Sequence, residues 1–117
     1  MSNMPESFKI YKEKVTVSVN GKDEIYELFP LSGVHYGKFM NVLKAMPKDE
    51  NDTDIIGKFS EDDVKVIHML LMHMFKDSYN LTSPDDIRNL DLTISKNLFA
   101  FLPVLLQVNL PNVEEKV

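Results

Sequence analysis

The first third of the chain has the apolar spacing of β-strands. Three valines alternate with polar side chains in the stretch that precedes Asn20-Gly21, which is the two-residue period of a strand. Asn-Gly favours a tight hairpin turn, because both central residues of that turn need positive φ. We therefore predict a β-hairpin over residues 14–29, in which Val15 faces Tyr26. An isolated hairpin is only marginally stable in water, so we expect helices to cover its apolar side.

From residue 32 onward, apolar residues recur every three or four positions, which is typical of amphipathic helices. The predicted helices begin at or just after Ser32, Ser60, Ser83 and Thr93. The first should end before Pro47, and the second should end near Asn80. Pro103 removes a backbone donor from the last helix, so we expect it to kink or split that helix.

Gly37 interrupts the apolar stripe of the first helix. That stripe is formed by Tyr36, Phe39, Met40 and Leu43. Alanine would be favoured over glycine in a helix interior by about 1 kcal/mol. We therefore expect another backbone, that of the hairpin, to approach the helix closely at Gly37.

The segment VKVIHMLLMHMF, residues 64–75, predicts a helix with apolar side chains on more than one side. One stripe consists of Val64, Ile67, Leu71, Met74 and Phe75. Met69 and Met72 fall on another side, beside His68. Methionine suits surfaces that adapt to partners. The side chains predicted at a partner contact are Met69, Met72, Phe99, Phe101 and His68. Complete burial of a central helix inside the domain is the alternative.

Length and composition favour one α+β domain over residues 1–117, with the hairpin packed on a small bundle of three to four helices. Residues 1–7 are expected to form a mobile lead-in, 32–110 the helical part and 111–117 a frayed tail. The acidic segment 47–59 should form a connection held by Ile55, Ile56 and Phe59. We expect no signal peptide, since the N-terminus has no basic start followed by an apolar stretch. We expect no membrane-spanning segment, since the longest apolar run has nine residues, interrupted by Pro103, and a span needs about 20.

The polar residues predict no catalytic, cofactor or metal site. Asp62-Asp63 and Asp85-Asp86 occupy first helical turns, where acids complement the helix dipole. The segment 49–54 lacks the ligand spacing of a calcium loop. His68 and His73 are five residues apart, whereas two zinc ligands on one helix are normally spaced three or four residues apart. The net charge is −5, and without a basic stripe nucleic acid is an unfavourable partner.

Residues 15–47, VTVSVNGKDEIYELFPLSGVHYGKFMNVLKAMP, resemble the start of the tail assembly chaperones of long-tailed bacteriophages. The order of the later parts is similar too: an acidic linker, a helix beginning SEDDVKVI and a C-terminal helix containing NLFAFLPVLL. The resemblance covers nearly the whole chain. It implies a small α+β fold and no catalytic signature.

The resemblance also implies partners. Such chaperones bind the tape measure protein, recruit tail tube subunits and often self-associate. They act in the cytoplasm of the infected bacterium and are missing from the mature virion. Two other functions stay open: a structural virion component, such as a minor tail or head–tail connector protein, and a small DNA-binding regulator. Acids at the start of the second helix argue against the regulator, because a recognition helix meets DNA with that end.

Overall fold

The computed structural model describes residues 10–45 and 59–110 of the chain. The expected lead-in at 1–7, the tail at 111–117 and the pair Ile55-Ile56 lie outside the described residues. Phe59, at the end of the acidic connection, is buried as predicted.

In these described ranges an N-terminal antiparallel hairpin packs on four helices, which confirms the predicted α+β fold. Its elements are β1 (Glu13–Val19), β2 (Lys22–Leu28), α1 (Gly33–Ala45), α2 (Glu61–Tyr79), α3 (Pro84–Lys96) and α4 (Leu98–Asn109). α2 lies in the middle, since α1, α3, α4 and β2 all pack against it. β1 packs mainly on α4.

The hairpin has the predicted turn and register. Asn20 and Gly21 have φ of 54° and 78°, and Val15 lies opposite Tyr26. The inner face of the sheet buries Val15, Val17 and Leu28 against the helices. Burying one aliphatic side chain contributes roughly 1.5–3 kcal/mol, so these contacts attach the hairpin to the helical part.

α2 begins and ends where its sequence predicts. The Ser60 side chain accepts a hydrogen bond from the Asp63 N–H at 3.1 Å. Asn80 ends the helix in the left-handed conformation, and its N–H donates to the Lys76 carbonyl.

Among the described residues, the hydrophobic core consists of Val15, Val17, Leu28, Leu31, Phe39, Val42, Phe59, Ile67, Leu70, Leu71, Met74, Phe75, Ile94, Phe101, Leu102, Val104, Leu105 and Val108.

The boundary between α3 and α4 lies at Asn97, so the prediction of a helix start near Thr93 is wrong. The Asn97 side chain donates to the Thr93 carbonyl at 2.9 Å, and the two helices meet at a bend of 101°. Ile94 is consequently buried from α3 and not from α4. Pro103 lies inside α4 without splitting it; the break occurs before it.

The prediction of a backbone close to Gly37 is also wrong. A Cβ atom at this position would have no neighbouring atom within 4 Å, because Gly37 lies on the exposed side of α1. The buried side of α1 holds Phe39 and Val42, while Tyr36 is exposed. The hairpin therefore does not explain the glycine.

Candidate partner-binding surface

Met69 and Met72 lie on the side of α2 opposite its fully buried residues. The buried side of α2 holds Ile67, Leu70, Leu71, Met74, Phe75 and Ser78. At about 100° per residue, both methionines fall on the opposite arc, between His68 and His73. Each methionine is half-buried and packs against the edge of the core.

Lysines stand on the same arc as the two methionines. Lys65 is exposed and Lys76 is half-buried, while Asp62 lies at the N-terminal end of the arc. We call Lys65, Met69, Met72 and Lys76 the outward strip. Its centre is apolar and polarizable, with one lysine at each end and Asp62 one helical turn beyond Lys65.

The two histidines that border the outward strip contact the neighbouring helices. His68 Nε2 lies 2.7 Å from Asp91 Oδ1 and 3.3 Å from Ser95 Oγ, both on α3. On the other border, the His73 ring stacks on His35 of α1 with centroids 3.8 Å apart. The outward strip is thus flanked by α3 on one side and by α1 on the other.

Phe99 and Phe101, the other two side chains predicted at a partner contact, lie in different environments. Phe99 is 59% exposed on the outer side of α4, so it is available to a partner. Phe101 is 1% exposed, with its ring centroid 5.6 Å from that of Phe75. The prediction that Phe101 lies at a partner contact is therefore wrong, since the ring belongs to the core. Among the described contacts, none joins Phe99 to Met69 or Met72.

Ser95, His68 and Asp91 form a polar cluster that the sequence pattern does not predict. A serine nucleophile relay needs the hydroxyl and the carboxylate on different ring nitrogens. Here both Ser95 and Asp91 approach the same atom, His68 Nε2. The geometry fits an interhelical tie between α2 and α3, not nucleophilic catalysis. The sequence does contain one sign of this cluster: Asp91 and Ser95 are four residues apart, so they lie on the same face of a helix.

The His35–His73 stack is a second unpredicted cluster. The two rings are inclined by 29°, and His73 Nε2 lies 3.0 Å from Asp77 Oδ2. His35 Nδ1 is buried without a hydrogen-bond partner. Within residues 10–45 and 59–110, no group of three or more His, Cys, Asp or Glu side chains is arranged to hold a metal ion.

Tyr26 is the group of the hairpin with a perturbed acidity. Partial burial raises the pKa of Tyr26 above 10.0, and repulsion from Glu24 and Tyr79 adds to the effect. Its ring packs edge-on against Phe75, with centroids 5.0 Å apart. Tyr26 also lines a broad surface hollow, together with Val19, Asn20, Lys22, Glu24 and Thr93.

Comparison of the chain with protein-family models, curated proteins and solved structures gives no match. In the described part of the chain, no single helix combines the length and apolar character needed to cross a bilayer. α3 and α4 reach that length and composition only as a pair, across their 101° bend.

Proposed function

We propose that this protein is a non-enzymatic tail assembly chaperone of a long-tailed bacteriophage. In this proposal it binds the tape measure protein and recruits tail tube subunits in the cytoplasm of the infected bacterium. It then leaves before the virion is complete. The resemblance of residues 15–47 to such chaperones supports the proposal, and the outward strip is the structural observation that carries it.

The outward strip has the chemistry of a surface for an apolar helix. Met69 and Met72 keep part of their side chains accessible although α2 is the central helix of the domain. Flexible thioether side chains repack around different apolar groups, which suits a chaperone that covers successive segments of a long chain. An amphipathic helix would place its apolar residues on the two methionines.

The charges of the strip restrict the kind of helix that it accepts. Lys65 and Lys76 are eleven positions apart, about three helical turns, so they stand at the two ends of the apolar centre. Acidic residues on the rim of a bound helix would lie beside them. Rim charges of this kind act more on association rate and orientation than on affinity. The proposed ligand is therefore an amphipathic helix with acidic residues beside its apolar face.

Co-expression with the tape measure protein of the same genome tests the proposal. We expect a soluble complex that co-purifies through a tag on either chain, and a tape measure protein that precipitates when expressed alone. Failure to co-purify, with the tape measure protein equally soluble in both cases, would contradict it. Mass spectrometry of purified virions separates the proposal from a structural tail or connector component, because a chaperone should be missing from the particles.

A further inference from the structure

The two edges of the hairpin differ in how their backbone groups are satisfied. On β2, the Glu27 N–H donates to the Tyr79 hydroxyl at 3.0 Å. Just after the strand, the Phe29 N–H donates to Ser78 Oγ at 2.8 Å. The C-terminal end of α2 therefore covers the second half of the β2 edge.

The edge of β1 pairs with no further strand in the described part of the chain. Because the Glu27 N–H points away from β1, the alternation of an antiparallel ladder makes the backbone groups of Lys14, Thr16 and Ser18 point away from β2. All three residues are exposed. Among the described residues, no other element donates a hydrogen bond to these groups or accepts one from them. The seven-residue strand carries no proline and no bulge, so it can template another strand.

We propose that this edge pairs with β1 of a second copy of the chain. The two strands would run antiparallel about a two-fold axis at Thr16, which joins two hairpins into one four-stranded sheet. This is an isologous interface, in which each copy contributes the same residues. The inference stands on the hairpin alone and does not depend on the proposed chaperone function.

The charges on the solvent-facing side of the hairpin favour a second copy of the chain as the partner, because they are complementary in the symmetric register. Lys14 lies opposite Ser18 of the second copy, and Ser18 donates a 2.5 Å hydrogen bond to Asp23. Each end of the new pairing then carries a row of four outer-face residues. In this row Lys14 lies between Glu27 of its own hairpin and the Ser18–Asp23 pair of the second copy. At the centre Thr16 meets its own copy, and threonine pairs are favourable across strands.

The inner face is complementary as well. In the same register, Val15 lies opposite Val17 of the second copy, and both side chains belong to the buried face of the hairpin. The apolar layer under each hairpin would thus continue across the interface. An unrelated extended peptide could form the same backbone bonds, but it would not place a Ser18–Asp23 pair across from Lys14 at both ends.

A cysteine at the two-fold axis tests the pairing directly, since the natural chain has no cysteine. In the proposed dimer the two Thr16 Cα atoms would be about 5.5 Å apart, which is within disulfide range. We expect Thr16→Cys to cross-link to itself at least about tenfold faster than Ile25→Cys, its exposed neighbour on β2. Equal cross-linking rates would overturn the proposal.

A proline pair provides the equilibrium test. Thr16 and Ile25 lie opposite each other, and both N–H groups point outward, but on opposite edges. Proline is tolerated where the N–H faces solvent at an edge, so both variants should cost the hairpin a similar amount. Sedimentation equilibrium should show a dimer for the natural chain and for Ile25→Pro, and a loss of about tenfold or more in dimer affinity for Thr16→Pro. A monomer at every concentration, equal affinities in the two variants, or binding of extended peptides without self-association would overturn the proposal.

Discussion

The Leu31 N–H donates a 2.6 Å hydrogen bond to Asn109 Oδ1 in the interior of the protein. Asn109 is the last residue of α4, and its Nδ2 group contacts Met74 Sδ at 3.5 Å and the Leu105 carbonyl at 2.8 Å. One buried amide thus joins the segment after the hairpin, the central helix α2 and the end of α4. An interior donor that loses its acceptor cannot recover the bond from water.

Replacing Asn109 with alanine should destabilise the fold. The change leaves the Leu31 N–H buried and unpaired, which costs about 1–3 kcal/mol. The measurement is the free energy of unfolding from urea titration. Gln107→Ala is the matched control, because Gln107 is exposed on the same helix and should change stability by less than about 0.5 kcal/mol. Equal effects of the two substitutions would show that the amide is not needed as a tie.

Gly37→Ala should stabilise the protein by about 0.4–1 kcal/mol. An added Cβ atom meets nothing within 4 Å, and alanine restricts the unfolded chain more than glycine does. Thermal unfolding followed by circular dichroism measures the effect. Gly33→Ala is the comparison at the start of the same helix, where φ is +59°, and it should lose stability because an L side chain is strained there. A destabilised Gly37→Ala variant would indicate that α1 packs differently from the structure.

Stability should fall at alkaline pH through Tyr26. Its pKa is raised in the folded state, so the folded protein holds the phenol proton more tightly than the unfolded chain does. The resulting contribution is complete below pH 10.0 and is lost as the pH rises through the folded-state pKa. Urea unfolding over a pH series measures this decline. Tyr26→Phe should flatten it, whereas Tyr36→Phe, at an exposed ring, should leave it in place; a decline that persists unchanged in Tyr26→Phe would exclude Tyr26 as its source.

The hairpin could be predicted because its determinants are local. Alternating valines define which side of the strand is apolar, and Asn20-Gly21 defines the turn and therefore the register. The cap of α2 is equally local, since Ser60 bonds a backbone group three residues away. Nothing outside these short segments is needed to form them.

The sequence predictions were wrong in two situations. In one, two helix boundaries fit the same apolar pattern; in the other, packing against another element determines which side chain is buried. A last helix that starts near Thr93 and one that starts after Asn97 present almost the same apolar residues to the core. Only Ile94, which is buried as part of α3, distinguishes the two boundaries. Phe99 and Phe101 are two positions apart and point about 160° apart on α4. The orientation of α4 against the hairpin determines which ring is buried.

The surroundings of the outward strip could be predicted only in part. Helical spacing placed Met69 and Met72 away from the buried stripe, and the structure leaves both half-buried. The stack of His73 on His35 and the contact of His68 with Asp91 join residues that are far apart in sequence. No periodicity in one sequence encodes such pairs, so the sequence does not predict which helices flank the strip.

The most direct test of the account is the capture of the tape measure protein by a strip variant. Met69→Glu combined with Met72→Glu places two charges on the apolar centre of the strip, and both side chains lie outside the fully buried core. The matched control is Ile25→Glu, which adds a charge at a 63% exposed apolar residue on the outer face of the hairpin. With all variants checked for folding by circular dichroism, we predict that the double variant loses the tape measure protein in a co-expression pull-down and that Ile25→Glu retains it. Retention by a folded double variant would contradict the account.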